Sequence, residues 1–189
     1  MSAEQVVSFD DEPLILVDDQ DNIVGYDTKI HVHRGAGALH RAFSIFIVND
    51  TGELLLQQRS AMKPLWPLYW SNSCCSHPRK GEGDQAAAHR RLREELGVDT
   101  QLTFAFRFKY QASFGPAGSE HELCSVYLGR LRDAVPLEAN PTEVAAWRWL
   151  AYSDVDQLIA NGKTLVTPWF VMEWERLRRD FRQQLDPEP

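Results

Sequence analysis

At 189 residues, 43% of them hydrophobic, the chain is long enough to close one sizeable core and short for two, so a single domain is expected. Its formal net charge of -7 excludes a general binder of nucleic-acid backbones, whose affinity rests on clustered lysine and arginine, so any anionic ligand must meet a local basic cluster. No apolar run approaches the ~20 residues of a spanning helix, and the acidic start MSAEQVVSFDDEP lacks the order of a signal peptide, which together predict a soluble cytoplasmic protein with no membrane partner.

In chain order, LILVDDQDNIVGYD reads as two short strands around an acidic turn at Asp18 to Asp21, and AFSIFIVNDTGELLLQQRS as a hairpin around Asn49 to Gly52. Between them TKIHVHRGAGALHR is rich in glycine, lacks period, reads as a loop, and carries three of the six histidines. From Asp84, an expected N-cap, DQAAAHRRLREELG is rich in helix formers and stops at Gly97, with Ala88, Arg91, Leu92 and Glu95 on one face. FAFRFKYQASF then alternates, Phe104, Phe106, Phe108 and Tyr110 against Arg107 and Lys109, which predicts a half-buried strand. EHELCSVYLGRL continues as a strand, EVAAWRWL offers another, and SDVDQLIANG is a short helix. The last element, TPWFVMEWERLRRDFRQQL, predicts a long helix with Thr167 as N-cap, Pro168 at its first position, and an apolar stripe of Phe170, Trp174, Leu177 and Phe181 laid on a sheet. The expected architecture is α/β, a mixed sheet with flanking helices in one domain over residues 1–189, with about 1–12 and 186–189 flexible.

Three constellations carry chemistry. Glu120 and Glu122, at i and i+2 of a strand, lie ~6.6 Å apart on one face, close enough to share an ion; alone, the pair reads equally as a solvated acidic strand end. His33, His40 and His77 would complete a set of imidazole and carboxylate donors that suits a first-row divalent ion rather than calcium. His121 and His89 read as surface residues, and spacing does not separate His31 from His33. A basic set, Lys29, Arg59, Lys63, Arg90 and Arg91, flanks the segment WSNSCCSHP; scattered on a surface it would mean little, but converging there it would hold a small polyanion such as a diphosphate. Three cysteines, two adjacent, make a poor disulfide framework and are expected to be reduced.

The third constellation is the helix itself. SHPRKGEGDQAAAHRRLREELGV resembles the Nudix box, G-x5-E-x7-R-E-U-x-E-E-x-G-U with U aliphatic: Glu82, Arg90, Leu92, Glu94, Glu95, Gly97 and Val98 fit. Ser76 stands where the opening glycine belongs, and Arg91 replaces the glutamate after the arginine. A hydrolase of that family gathers carboxylates to bind metal and activate water, and the replacement of one by a cation argues against ordinary pyrophosphate hydrolysis.

With WSNSCCSHP, the altered box, EHE and TPWFVM taken together, the chain resembles the type I isopentenyl diphosphate isomerases, Nudix-fold enzymes of isoprenoid biosynthesis, from about Pro13 to the last helix. The resemblance implies that Cys75 and Glu122 handle protons on opposite sides of a diphosphate substrate and that His33 is chosen over His31. It implies that Tyr110 relays or orients a proton near Glu122 and that Trp169 steadies a cationic intermediate with its ring face. It further implies one zinc or manganese ion among His33, His40, His77, Glu120 and Glu122, and a magnesium bridging Glu95 to the diphosphate. Lys29, Arg59, Lys63, Ser76, Arg90 and Arg91 would grip that diphosphate, in a monomer or weak dimer. Cys74 is expected to pack. Two rivals remain: a Nudix hydrolase using Glu94 and Glu95 with Cys75 idle, and a non-catalytic module holding structural zinc on Cys74, Cys75, His77 and Cys124, whose adjacent cysteines match poorly the usual spaced ligands.

Overall fold

The computed structural model describes residues 5–132 and 135–186. The first expected strands form at Pro13–Val17 (β1) and Ile23–Thr28 (β2), an antiparallel hairpin whose turn is held by Asp18, its carboxylate accepting from the N–H groups of Gln20 and Asn22. The stretch read as a loop contains one helical turn, Lys29–Val32 (α1), before His40–Val48 (β3) begins. Ala42, Phe46 and Val48 of β3 join one apolar cluster and Phe43, Ile45 and Ile47 the other. A strand buried on both faces must be central, and its run of apolar residues is the signature of that position.

Glu53–Arg59 (β4), Trp70–Ser71 (β5), Cys74–Ser76 (β6), Leu102–Ser113 (β7), Ser119–Arg130 (β8) and Val144–Ala151 (β9) complete a nine-stranded mixed sheet. β8 runs parallel to β3 and β6 antiparallel to it; β7 pairs with β8, and β9 and β5 pair with β4. Helix Asp84–Leu96 (α2) covers one face with Ala87, Ala88, Leu92 and Leu96. Tyr152–Ala160 (α3) and Pro168–Asp180 (α4) cover the other, where Phe170 and Trp174 lie 6.2 and 6.4 Å from Phe46 between ring centroids. Each such side chain removed from water contributes ~1.5–3 kcal/mol, so these two layers hold the sheet.

Four details differ from expectation. Gly83 rather than Asp84 is the residue before α2, and the Asp84 carboxylate turns away to accept from Ser125 Oγ and Arg107. Thr167 does precede α4, but its hydroxyl bonds Ser71 Oγ at 2.8 Å rather than capping the helix. The last helix breaks at Phe181, whose ring packs 5.3 Å from Phe106, and resumes as Arg182–Leu185 (α5). The alternation of β7 holds only from Phe106 onward: the ladder shifts between Phe104 and Phe106, leaving Ala105 as a bulge, so Phe104 meets Tyr127 and is 52% exposed.

Residues 5–12, expected to be flexible, make hydrogen bonds: the Val7 carbonyl accepts from Arg79 and Arg91, and the Gln5 carbonyl from Asn140. At the other end Asp186 O accepts from Arg130 at 2.8 Å. Residues 1–4 and 187–189 of the same expectation lie outside the described residues. Among the described residues no helix is long and apolar enough to cross a membrane.

Candidate active site and metal centre

Strand register does most of the assembly. In the parallel pair β3–β8 His40 stands opposite Glu122, and in the antiparallel pair β7–β8 Tyr110 stands opposite the same glutamate. Glu120 follows from the i, i+2 repeat of β8. His77 comes one residue after β6, and His33 from the loop before β3. That loop docks closely on the start of β8: Ser119 N–H donates to His33 O at 3.0 Å, and Gly118, at φ 143°, leaves room that any Cβ would take from the same carbonyl.

The ligand atoms of His33, His40, His77, Glu120 and Glu122 all lie within 4.8 Å of one another, and the three imidazole centroids are 4.8 to 5.2 Å apart. His33 Nδ1 donates to Lys29 O at 2.7 Å and His40 Nδ1 to Ala38 O at 2.8 Å, so each ring turns Nε2 inward, as outer hydrogen bonds do for metal-ligating histidines. Inside, His33 Nε2 is 2.8 Å from Glu120 and His77 Nε2 3.1 Å from Glu122, while His40 Nε2 and His77 Nδ1 have no hydrogen-bond partner. Burial, with neighbouring imidazoles, holds His40 down to about 4 and His77 well below its usual value, so both are neutral and keep a lone pair to donate. Burial pushes Glu122 up and Glu120 beside it adds to this, whereas for Glu120 the effect of burial is outweighed by His33, which keeps it low. Unpaired nitrogens and two close buried carboxylates are costly without a cation, and this donor set fits a first-row divalent ion. His31, level with His33 by spacing alone, points outward to Asp27.

Over the cluster opens a cavity of about 320 Å³, on whose wall lie Lys29, Arg59, Lys63, Cys75, Ser76, Tyr110 and Trp169 with the inner face of His33, His77, Glu120 and Glu122. Successive residues of β6 face opposite ways, so Cys75 reaches the cavity while Cys74 packs among Phe43, Ile45 and Leu92. Burial pushes the Cys75 thiol up to about 12 in spite of the nearby Arg59, so it is protonated at neutral pH. Tyr110 donates its O–H to Glu122 Oε2 at 2.7 Å. Trp169 is fixed by Nε1 donating to Ser71 Oγ at 3.1 Å, and its ring lies edge-on to Trp66 and 6.1 Å from Tyr110.

The structure divides the expected diphosphate grip. Lys29, Arg59, Lys63 and Ser76 line the cavity, but Arg90 and Arg91 do not. Arg90 is bound by Glu82 and Glu94. Arg91, 2% exposed, donates to Glu95 Oε1 at 2.7 Å and to Glu143 Oε2 at 2.9 Å, because the buried face of α2 carries both Arg91 and Glu95 toward the sheet. Glu95 sits behind the wall and also accepts from Gln57 at 3.2 Å.

Two buried carboxylates fall outside the expected set. Glu143 stands at the start of a strand in TEVAAW with no pattern to mark it, and its partners come from distant elements. Glu173 does carry a signal: it falls at the third position after Phe170 and so on the apolar stripe of α4, where an acid is conspicuous. It is fully buried, its Oε1 accepting from Cys124 Sγ at 3.5 Å and its Oε2 unpartnered.

Comparison with known proteins agrees with this arrangement. The NUDIX domain profile matches residues 38–170. Isopentenyl-diphosphate Delta-isomerase 1 of Photorhabdus laumondii is 45% identical over 165 residues, 86% of this chain and 93% of that protein. The isopentenyl-diphosphate Delta-isomerase of Serratia proteamaculans is 44% identical over 161 residues, 85% of this chain and 88% of its own length. Among solved structures, DR0079 from Deinococcus radiodurans superposes with a TM-score of 0.71 at 24% identity, covering 89% of this chain and 100% of that one, a likeness that shows the fold alone.

Proposed function

Because the chain belongs to the type I isopentenyl-diphosphate Delta-isomerases of the NUDIX fold, we propose that it interconverts isopentenyl and dimethylallyl diphosphate by protonating one alkene carbon and deprotonating another two carbons away. What supports the reading most is that a protonated thiol, Cys75, and a carboxylate hydrogen-bonded to a phenol, Glu122 with Tyr110, line one buried cavity beside an aromatic face. In the forward direction the Cys75 thiol gives its proton to the terminal alkene carbon, leaving positive charge on the tertiary carbon. Glu122 then takes a proton from the carbon on the other side, with Tyr110 orienting the carboxylate, so the double bond moves inward and the proton count is unchanged. Trp169 faces the developing cation and stabilises it by ~0.5–2 kcal/mol, while the apolar walls keep out water that would trap it.

His33, His40, His77, Glu120 and Glu122 would hold one zinc or manganese ion, which when bound supplies the positive charge that keeps both carboxylates ionised. Lys29, Arg59, Lys63 and Ser76 bind the diphosphate. Magnesium would travel with that group, since it keeps several waters and needs few protein carboxylates; Glu95, held behind the wall by Arg91 and Gln57, would join it only on leaving one of those partners. Arg90 and Arg91 then act on the diphosphate at most through the carboxylates they hold. The reading takes the protein as a monomer or weak dimer acting in the cytoplasm.

Purified protein incubated with isopentenyl diphosphate and magnesium should yield dimethylallyl diphosphate and no free phosphate. A hydrolase of this fold would release phosphate and would leave Cys75 idle.

A further inference from the structure

Lys63, on the diphosphate side of the cavity wall, carries a resident anion that it shares with Arg91 behind the wall. Glu143, 3% exposed, lies immediately before β9; its Oε2 makes a short ion pair with Lys63 Nζ and accepts from Arg91 Nη2 at 2.9 Å. The backbone is pinned too, since Glu143 O accepts from Ser60 N–H at 2.9 Å and Ser60 O from Lys63 N–H at 3.1 Å. Carboxylate, strand start and the loop carrying Lys63 thus form one closed unit. Burial raises the Glu143 carboxyl, but Lys63 and Arg91 outweigh it and hold the group below its usual value, so it is ionised at neutral pH. Of the other carboxylates nearby, Glu95 is bound by Arg91 and Gln57 and Glu12 by Arg79, while Asp10 lies on the cavity wall beside Lys29. Lys29 reaches Ser8 Oγ, and burial with Lys63 beside it brings its ammonium down to about 8.

We propose that Glu143 is an internal counter-ion that competes with the substrate's diphosphate for Lys63, so that the magnesium complex is selected over the bare diphosphate. A bare diphosphate must either settle beside this carboxylate or draw Lys63 from it, and the latter leaves a buried charge with Arg91 as its remaining partner. A magnesium complex carries less negative charge and brings a cation toward the Lys63–Glu143 pair, so it meets a smaller penalty. The inference rests on the isomerase reading above and adds to it a residue that sets which ionic form of substrate is accepted.

Inorganic pyrophosphate is the probe, titrated calorimetrically into the wild type, Glu143→Gln and Glu143→Asp, each with and without magnesium. Glu143→Gln should bind magnesium-free pyrophosphate about tenfold tighter than the wild type, the size of one charge-assisted hydrogen bond returned to the ligand, and should gain less on adding magnesium. Glu143→Asp, which keeps the charge but shortens its reach, should shift the same way by less. General loosening of the loop would weaken both forms, so the sign separates the two causes. Variants that retain wild-type circular dichroism yet bind bare pyrophosphate no tighter overturn the proposal; if the Gln variant does not fold, the Asp variant decides alone. Should the wild type isomerise and bind magnesium pyrophosphate while the variants show no tightening, only the role of Glu143 falls. A wild type that binds pyrophosphate in neither condition removes the diphosphate reading and this inference with it.

Discussion

Cys75 and Cys74 are neighbours in sequence and opposites in surroundings, one on the cavity wall beside Arg59, the other among aliphatic side chains under α2. Alanine at either position deletes one small thiol, so the pair forms its own control. General acid or base groups contribute ~10²–10⁴ in rate, and Cys75→Ala should lose isomerisation by that order, together with deuterium uptake into both diphosphates in heavy water. Cys74→Ala should cost far less, and comparable losses from both would show that Cys75 is not the proton donor. At this scale the sequence is legible where chemistry clusters: CCSHP and EHE announce donors by type and spacing. For Arg91 it is legible only in part: the spacing sets Arg91 and Glu95 on one helix face, but not that this face is buried against the sheet, where Arg91 also meets Glu143. Glu143 leaves no trace at all, since an isolated acid ahead of a strand has no pattern and its partners come from α2 and the loop after β4.

On α4 the apolar stripe of Phe170, Trp174 and Leu177 is plain from its spacing, and the acid on the same face is the anomaly that spacing alone does not explain. Burial raises the Glu173 carboxyl from 4.5 to about 8, against hydrogen bonds from Ser44 and Cys124 that act the other way. Between those two values the folded protein holds a proton that the unfolded chain releases, so the contribution of this group to stability is fullest below about 4.5 and is lost as pH rises toward about 8. Glu173→Gln removes this dependence. The variant should match the wild type near pH 5 and exceed it in urea unfolding by a margin that grows with pH, at most ~1.4 kcal/mol for each unit of pH. A constant offset across that range would show that Glu173 does not titrate with folding. The strand periods of β3, β7 and β8 are readable because each buries at least one face, whereas β5 and β6 are not: two or three residues are too few for a period, and only pairing with β4 and β3 makes them strands.

For the whole molecule, the two apolar layers on either side of the sheet include none of the three clustered histidines and neither Glu120 nor Glu122. Stripping bound metal with a chelator should therefore abolish isomerisation while far-UV circular dichroism is retained, and a first-row divalent ion added back should restore turnover. Loss of the fold on chelation would make the centre structural; full activity without metal would remove it from the reaction. The fold class is accessible because periodic segments of sufficient length alternate along the chain. The strand order is not, because it depends on β8 returning from far along the chain to lie beside β3 in parallel, with Ser44 opposite Val126, and nothing local encodes that.

The bulge at Ala105 gives β7 a slack link. Upstream, Phe104 pairs with Tyr127; downstream, Phe106 pairs with Val126, so the two halves are already in consecutive register with β8 and Ala105 is surplus to the ladder. Deleting Ala105 straightens the strand and leaves Tyr110 facing Glu122. The spare residue thus lets β7 lose one position while both its ends keep their register with β8, so the pairing that sets Tyr110 against Glu122 does not depend on the full length of the strand.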